Sequence, residues 1–270
     1  MRRCLAPLAL TLLLCAGSSG FAQDKPALEP GRVLQLDYDF ELAGKKMGYC
    51  LYLPKSYKPE GRWPLMVALH GWGSNPGQLM MYPGLVDQAD KHGIIVVAPM
   101  GYNERGWYGS SGWKSPRSRP QNLGELSEKD VMNVLARTRA QLPIDEERIY
   151  LMGHSMGGAG TIHLGAKFPE LWAGLAPIAP AIRSPLTSCE KLRRLPVIMV
   201  QGAKDRTVPP TRPRQWAARM KELGMAHSYI EDPEGGHVAI AFKYMPQIFE
   251  FLAKQRRGAA PAPAPKRRLY

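Results

Sequence analysis

A serine between glycines stands near the middle of the chain, where an apolar run meets a segment of small residues. Residues Ile149–Met152 are apolar, Gly153–Gly157 reads Gly-His-Ser-Met-Gly around Ser155, and small residues dominate from Ala159 onward. A serine on a sharp strand-to-helix turn projects its hydroxyl above the sheet, where it can attack a carbonyl carbon. The flanking glycines are needed because a side chain there would strike the neighbouring strand or helix. The pattern predicts a nucleophilic Ser155; a serine that merely caps the helix is the alternative.

Two aspartates could orient the base that such a serine needs. A serine hydroxyl is a weak nucleophile near neutral pH, so a base must take its proton and a third group must hold that base. Asp205 comes shortly after the apolar run Val197–Gln201 and a glycine turn. Active sites collect at the carboxyl ends of parallel strands, so we predict that Asp205 is the orienting acid. Asp232 also follows a predicted strand, but it lies only a few residues before the predicted base.

His237 is the predicted base. It lies in the glycine-containing segment Glu234–Val238, between the last predicted strand and the last predicted helix. Glycines allow such a loop to fold its imidazole back over the edge of the sheet. The resulting chain order of serine, acid and histidine is the one that accompanies this type of serine turn. The other histidines have less favourable positions. His92 and His163 lie on predicted helices, and His227 begins a predicted strand. His70 follows a strand, and His154 precedes the serine with its side chain directed away from it.

Two backbone amides are predicted to stabilise the negative oxygen of the tetrahedral intermediate. The segment His70–Gly73 follows the apolar run Leu65–Leu69, and Met156 follows the serine directly. Such an oxyanion needs two N–H donors, and we assign them to Trp72 and Met156. The backbone supplies both groups, so the identity of the two side chains is secondary. For His70 we expect a structural hydrogen bond beneath this loop.

The segment from Asn103 to Leu126 is long for a loop, which favours a functional role. Its aromatic residues could hold an acyl or phenolic group, and its basic residues an acidic one. A surface loop pinned by its tryptophans is the alternative. The predicted substrate-binding residues are Trp107, Tyr108 and Trp113, and the basic residues nearby are Lys114, Arg117 and Arg119.

The remaining pattern predicts an α/β fold with a mainly parallel sheet and helices on both faces. Antiparallel strands come first, at Val33–Phe40 and Lys46–Leu53, because apolar and polar residues alternate there. Later apolar runs alternate with amphipathic segments, as in a parallel sheet covered on both faces. The segment between Pro180 and Leu195 is too short for a large lid domain. Predicted helices span Gln78–Lys91, Glu128–Gln141 with Ser127 as N-cap, Thr211–Leu223 and Val238–Lys254. Pro83–Gly84 is expected to shorten or kink the first of them.

Size and charge favour a single globular domain that does not bind nucleic acid. The chain has 270 residues and a formal net charge of +13. Eight of these thirteen excess charges lie in residues 1–22 and 254–270, so the body carries only five. That bias is too small to favour nucleic acid as a partner. No group of residues has metal-ligand spacing, so neither a metal nor an organic cofactor is predicted.

The N-terminus predicts export. Two arginines, an apolar stretch at Leu5–Cys15 and small residues at Gly20–Ala22 form a signal peptide over residues 1–22, and the apolar stretch is short for a membrane span. A secreted or periplasmic protein follows, and a lipid anchor on Cys15 is less favoured because Leu14 precedes it. We predict a linker over 23–31, one globular domain over 32–257 and a disordered basic tail over 258–270. Cleavage leaves Cys50 and Cys189, which could pair or stay separate.

Together the chemical motifs resemble the α/β-hydrolase superfamily. The residues that carry this resemblance are His70–Gly73, Gly153–Gly158, Gly202–Asp205 and Gly236–His237. The stretch from Glu128 to Glu170 is similar to secreted esterases of the polyhydroxybutyrate depolymerase and feruloyl esterase type, and to the catalytic domains of prolyl-oligopeptidase-like enzymes. The resemblance covers roughly residues 45–253. It implies a serine hydrolase that works through an acyl-enzyme.

Three functions are therefore compatible with the sequence. The first is a secreted serine carboxylesterase acting on small or polymeric esters through Ser155, His237 and Asp205. The second is a peptidase or acylaminoacyl hydrolase, which is less favoured because such relatives usually restrict access with an extra domain. The third is a non-catalytic binding protein on a hydrolase scaffold, which the presence of all three chemical residues argues against.

Overall fold

A computed structural model describes residues 28–258 of the chain. The predicted signal peptide over 1–22, most of the predicted linker over 23–31 and nearly all of the tail predicted over 258–270 lie outside the described residues. Within residues 28–258, none of the helices combines the length and the apolar character that crossing a membrane requires.

The fold is built on one eight-stranded sheet with the order β1-β2-β4-β3-β5-β6-β7-β8. Strand β1 pairs antiparallel with β2, and β2 pairs antiparallel with β4. All pairings from β4 across to β8 are parallel. The predicted α/β class with antiparallel N-terminal strands is therefore confirmed. The strands are β1 Val33–Phe40, β2 Lys45–Tyr52, β3 Trp63–Leu69, β4 Ile95–Pro99, β5 Ile144–His154, β6 Gly174–Ile178, β7 Val197–Gly202 and β8 His227–Asp232.

Helices cover both faces because the central strands are apolar on both sides. Leu65, Val67 and Leu69 of β3 belong to one buried cluster, whereas Met66 and Ala68 belong to another on the opposite face. Helices α3, α4 and α5 pack on the first face, and α1, α2, α6 and α7 on the second. The helices are α1 Pro76–Met80, α2 Leu85–His92, α3 Leu123–Gln141, α4 Met156–Lys167, α5 Thr211–Glu222, α6 Ile240–Lys243 and α7 Met245–Ala253.

Two segments that were predicted as single helices are each divided in two. The prediction over 78–91 holds in part: the helix is interrupted at Pro83–Gly84, where the sequence predicts a shortening or kink, because Pro83 lacks a backbone donor and Gly84 has a φ of +84°. The prediction over 238–254 is wrong because Tyr244, with φ −107° and ψ 12°, leaves helical geometry between α6 and α7. Pro246 then lies in the first turn of α7, where a missing N–H costs nothing.

Ser127 is not an N-cap, which corrects a third prediction. Helix α3 begins at Leu123, so Ser127 lies inside the helix and is buried. Its hydroxyl accepts a hydrogen bond from the backbone N–H of Tyr108 at 3.0 Å. The serine therefore ties the loop after β4 to α3 instead of starting the helix.

The two cysteines of the described domain are separate. Cys50 lies on β2 and Cys189 in the 3₁₀ turn Leu186–Leu192, and both are free and buried. The Cys189 thiol lies 3.9 Å from the sulfur of Met225. Burial raises the pKa of Cys50 and raises that of Cys189 to about 11, so both are neutral thiols near pH 7. The alternative of a disulfide is thereby excluded in this structure.

Candidate active site

Ser155 occupies the turn between the end of β5 and the start of α4. Its φ of +59° places it in a backbone conformation that is strained for any residue with a side chain. The strain is maintained by the surrounding chain: Ser155 N–H donates to the carbonyl oxygen of Ile178 at 2.8 Å, and Ala181 N–H donates to that of Ser155 at 3.1 Å. The turn is therefore held from the side of β6.

The glycines of the motif are required by close backbone contacts. A Cβ at Gly153 would collide with the carbonyl group of Gly157, and a Cβ at Gly157 with that of Leu69 at the end of β3. The start of α4 thus lies directly against the strand that precedes the predicted oxyanion loop. This packing explains why the turn needs glycine at both positions.

The structure brings Ser155, His237 and Asp205 together. His237 Nε2 lies 3.0 Å from Ser155 Oγ, and His237 Nδ1 lies 2.7 Å from Asp205 Oδ2. A carboxylate can only accept, so Nδ1 carries the proton and Nε2 is free to accept the serine hydroxyl proton. The imidazole side chain is 15% exposed and the Asp205 side chain is fully buried. Solvent therefore reaches the histidine but not the acid.

Asp205 is fixed by its own backbone neighbourhood. Its Oδ1 accepts the N–H groups of Thr207 at 2.9 Å and Val208 at 2.8 Å, and Oδ2 also accepts from Gln201 Nε2 at 3.3 Å. The competing Asp232 instead binds Lys243 Nζ at 2.6 Å. Only Asp205 is positioned to orient His237.

The predicted oxyanion loop lies against the serine. A Cβ built on Gly71 would lie 3.6 Å from Ser155 Cβ, so Trp72 follows a residue in contact with the nucleophile. The loop is held by Gly73 N–H, which donates to the carbonyl oxygen of Glu104 at 2.9 Å. Within residues 28–258, neither the Trp72 amide nor the Met156 amide donates a hydrogen bond, so both remain available to a ligand.

His70 is buried beneath this loop, in the structural position expected for it. Its ring nitrogens lie 2.8 Å from the carbonyl oxygens of Gly71 and Met100. Burial lowers the pKa of His70, so the neutral ring donates to one carbonyl group at a time. The contact joins the loop after β3 to the end of β4.

Tyr108 does not contact a substrate, which corrects one of the three predicted substrate-binding residues. Its side chain is completely buried, and its hydroxyl donates to the carbonyl oxygen of His70 at 3.1 Å. The ring packs against Gly160 of α4, where a Cβ would strike it. Tyr108 therefore anchors the loop after β4 to α4.

Trp113 contacts α3 and the end of α4, and its predicted role in substrate binding stays a prediction. Its indole N–H donates to Glu128 Oε2 at 3.1 Å, and Lys167 Nζ lies 4.1 Å from its ring centroid. Lys167 ends α4, whereas Ser155 precedes its first residue. At about 1.5 Å of rise per residue the two ends are roughly 16 Å apart. Trp107, by contrast, is half-buried and stacks on Arg183 at 3.8 Å.

His154 contacts His237, the predicted base, and the sequence did not predict this contact. Its Nε2 lies 3.0 Å from the carbonyl oxygen of His237, and its Nδ1 lies 2.9 Å from the hydroxyl of Tyr82. The two imidazole rings are 4.9 Å apart. Burial, and secondarily the neighbouring His237, lower the pKa of His154 to about 4, so the ring is neutral near pH 7. No local pattern signals a contact between residues so far apart in the chain.

The described part of the chain contains no group of three or more His, Cys, Asp or Glu side chains that could hold a metal ion. What the arrangement can do chemically is to remove a proton from the serine and donate two amide hydrogens to an oxygen beside it.

Comparison with known proteins identifies the family. Residues 41–244 match the Esterase family model, described as "Putative esterase". The chain is 29% identical over 174 residues to "Putative esterase NocK" of Nocardia uniformis subsp. tsuyamanensis, covering 64% of this chain and 48% of that protein. It is 31% identical over 117 residues to poly(3-hydroxyalkanoate) depolymerase C of Paucimonas lemoignei, covering 43% of this chain and 27% of that protein. The chain thus spans about half or less of the length of these relatives.

Solved structures agree on the fold. An S-formylglutathione hydrolase from Agrobacterium tumefaciens superimposes with a TM-score of 0.68 and 17% identity, over 84% of this chain and 95% of that one. Identity at this level speaks for the architecture alone. Since the family model covers most of the chain and the sheet has the expected order, the protein belongs to the Esterase family and has the α/β-hydrolase fold.

Proposed function

We propose that the protein is a serine carboxylesterase. The observation that carries the proposal is the continuous chain of hydrogen bonds from Ser155 through His237 to Asp205, with distances of 3.0 Å and 2.7 Å. Membership of the Esterase family supports the same chemistry. The buried acid fixes the histidine tautomer that can accept a proton from the serine.

The geometry leads to a two-step mechanism. Ser155 attacks the ester carbonyl carbon while His237 Nε2 takes its proton, and the amides of Trp72 and Met156 bind the resulting oxyanion. His237 then protonates the departing alcohol, which leaves an acyl group on Ser155. Water attacks this acyl-enzyme with His237 again as base, and the acid product is released. The imidazolium formed in each step is stabilised by Asp205.

The surroundings of the serine suit small or polymeric esters. Between β6 and β7 the described chain forms only the 3₁₀ turn Leu186–Leu192, so no large lid covers the site. Trp72, which follows the glycine that lies against Ser155, is 58% exposed and offers an apolar surface at the rim. Trp107 is the one of the three predicted substrate-binding residues that we retain. We propose that these two tryptophans contact the substrate.

Export to the periplasm or the medium is part of the proposal. It depends on the charged and apolar pattern of residues 1–22, which predicts a signal peptide. The test of export is to express the protein with residues 1–22 in a bacterial host and to measure the mass of the mature protein. Cleavage close to Ala22 supports export, whereas a diacylated Cys15 would replace free secretion by a lipid anchor.

A fluorophosphonate probe with an ester panel tests the activity. We expect labelling of the wild type that disappears in Ser155→Ala, and turnover of p-nitrophenyl and feruloyl esters well above that of peptide amides. Preferential amide cleavage would favour the peptidase alternative. A folded wild type that neither labels nor turns over esters would refute the enzyme and favour a non-catalytic binding protein.

A further inference from the structure

We infer that His154 is a positioning residue, which Tyr82 orients and which holds the loop carrying His237 in place. The inference rests on the proposed esterase function, because it concerns the residue that would act as base. It starts from the backbone of His237. Within residues 28–258, the bond from His154 Nε2 to the His237 carbonyl oxygen is the only hydrogen bond that this backbone makes.

The loop has few other attachments near the histidine. Before the histidine, Gly235 N–H donates to the carbonyl oxygen of Asp232 at 3.1 Å, and the carbonyl oxygen of Gly235 accepts from Lys204 N–H at 3.0 Å. After it, the next backbone bond is the one from Ala241 N–H to the carbonyl oxygen of Val238. A Cβ at Gly236 would meet nothing within 4 Å, so no side-chain packing could hold the chain at that position. A misplacement of about 1 Å can cost a hundredfold in rate, so an attachment at this position has a functional consequence.

The hydrogen-bond directions determine the tautomer of His154. The His237 carbonyl oxygen can only accept, so Nε2 of His154 carries the proton. Nδ1 must then accept, and the Tyr82 hydroxyl at 2.9 Å is its donor. Tyr82 also packs edge-on against Phe242 of α6, with ring centroids 5.1 Å apart, so it contacts the helix that follows the loop. The three groups form one chain from the turn after α1 to the base.

The short distance between the imidazole rings of His154 and His237 requires a neutral His154. During catalysis His237 carries a positive charge, and the two ring centroids are only 4.9 Å apart. A second imidazolium at that distance would oppose protonation of the base. The buried position of His154, 5% exposed, keeps it uncharged while it still donates its single proton to the carbonyl group.

Four variants test this role. His154→Phe keeps a ring but loses both hydrogen bonds, and we expect kcat for p-nitrophenyl acetate to fall by about tenfold to a hundredfold with little change in KM. His154→Gln can still donate to the carbonyl oxygen and should recover most of the rate. Tyr82→Phe removes the donor to His154 Nδ1 and leaves that buried acceptor unpaired, so it should lower kcat less than His154→Phe does. His92→Phe is the control, since His92 packs on Phe249 of α7 away from the serine.

The outcomes separate this inference from the proposed function. If the wild type turns over no ester, the proposed function itself fails. If the wild type is active and His154→Phe keeps its kcat, or His154→Gln is as slow as His154→Phe, the positioning role is refuted. If His154→Phe does not fold, kcat of Tyr82→Phe and His154→Gln is compared with that of the wild type. A wild-type kcat in Tyr82→Phe would then overturn the inference.

A second observation concerns the charge of the substrate. We propose that Arg183 binds a carboxylate carried by the ester; this too rests on the proposed function. The guanidinium carbon lies 3.8 Å from the ring centroid of Trp107. Trp107 follows β4 and Arg183 follows β6, and the sheet order β4-β3-β5-β6 places the end of β5 between them. A contact between these two loops therefore has to cross the end of β5, and Ser155 follows β5 directly.

The cation is held in place but not neutralised. Within the part of the chain that the structure describes, Arg183 makes no ion pair, whereas the neighbouring Arg105 pairs with Glu104 at 3.5 Å. Stacking on an indole leaves the in-plane N–H groups of a guanidinium free to bind a carboxylate in bidentate fashion. Trp107 itself has a φ of +58°, a strained conformation of the kind found where function requires it. An exposed, oriented and uncompensated cation beside the nucleophile favours an anionic substrate.

Matched ester pairs test the charge and its location. In the first pair, p-nitrophenyl hemisuccinate carries a carboxylate in its acyl part and p-nitrophenyl butyrate is the neutral partner. In the second pair, 4-acetoxybenzoate carries the carboxylate in its alcohol part and phenyl acetate is the neutral partner. We expect one anionic ester to be preferred, and Arg183→Gln to lower the anionic-to-neutral ratio of kcat/KM by about fivefold, the size of an exposed ion pair. Arg183→Lys should keep part of the preference. Arg62→Gln is the control, because Arg62 is also exposed but precedes β3, at the edge of the sheet opposite to Ser155.

Salt provides a second measurement of the same pair. Added NaCl should reduce the wild-type preference for the anionic ester, because screening weakens an exposed charge pair. An anionic-to-neutral ratio that is equal in the wild type and Arg183→Gln would refute the proposal, as would a preference that is insensitive to salt. Failure of every ester to react would instead refute the proposed function.

Discussion

Replacement of Asp205 by asparagine tests the proposed mechanism most directly. In the wild type, Oδ1 accepts two backbone N–H groups, from Thr207 and Val208, while Oδ2 faces His237 Nδ1. The asparagine oxygen must take the place of Oδ1, because an amide NH₂ there would face the backbone N–H groups of Thr207 and Val208, which are also donors. The amide NH₂ then faces His237 Nδ1. The histidine is driven to the tautomer with the proton on Nε2, which cannot accept the proton of Ser155.

This change in tautomer should be costly for catalysis and nearly neutral for folding. Loss of the productive tautomer in a serine triad lowers kcat by about 10⁴-fold, or about 5 kcal/mol of transition-state stabilisation. The two backbone hydrogen bonds to the former Oδ1 position are retained and only the long bond from Gln201 Nε2, at 3.3 Å, is lost, so the melting temperature should fall only slightly. Activity and stability are thus expected to separate.

The assay is the turnover of p-nitrophenyl acetate with thermal unfolding measured on the same preparations. Asp232→Asn is the control, because Asp232 follows β8, binds Lys243 and should change kcat by no more than about twofold. A folded Asp205→Asn that retains more than a tenth of the wild-type kcat would contradict the reasoning. So would an equal loss in Asp232→Asn.

Three further predictions concern packing and pH. Gly157→Ala should lower stability by about 1–3 kcal/mol and abolish most labelling by a fluorophosphonate, because its Cβ would collide with the Leu69 carbonyl, whereas Gly236→Ala should leave the melting temperature unchanged. Glu128→Gln should lower stability by about 1–3 kcal/mol near pH 7, since the carboxylate accepts charged hydrogen bonds that include one from Lys167. Burial alone would raise the pKa of Glu128, but these bonds lower it, so its contribution is complete above its unfolded value of about 4.5 and is lost as the pH falls through the lowered value. The stability difference between wild type and Glu128→Gln should therefore shrink in acid, and a constant difference in denaturant unfolding from pH 7 to pH 3 would contradict this assignment.

Local patterns were sufficient for the architecture and for the choice of chemical residues. Continuous apolar runs marked the buried strands, and the sheet order confirmed the expected class. The motif around Ser155 implied a strained turn, and the structure has φ +59° there. Asp205 and His237 were selected because each follows a strand end. The prediction of the fold class is confirmed because it depends on the periodicity of a few consecutive residues, and the roles of Asp205 and His237 stay predictions.

The aromatic loop after β4 shows where such reasoning fails. Trp107, Tyr108 and Trp113 are equivalent in the sequence as aromatic residues in one long segment. The structure stacks Trp107 on Arg183, buries Tyr108 against the carbonyl group of His70 and places Trp113 beside Lys167 at the end of α4. Which side of a helix a loop residue meets depends on how the loop crosses it, and composition carries no such information.

The sequence by itself determined the kind of chemistry, because a strand-to-helix turn with glycines, a strand-end carboxylate and a glycine-loop histidine are local features. The tertiary structure alone decided what supports and directs that chemistry. His154 meets His237, and Arg183 meets Trp107, only because the sheet order brings distant strand ends together. Contacts between residues so far apart in the chain follow from the packing of whole elements, and no local pattern encodes them.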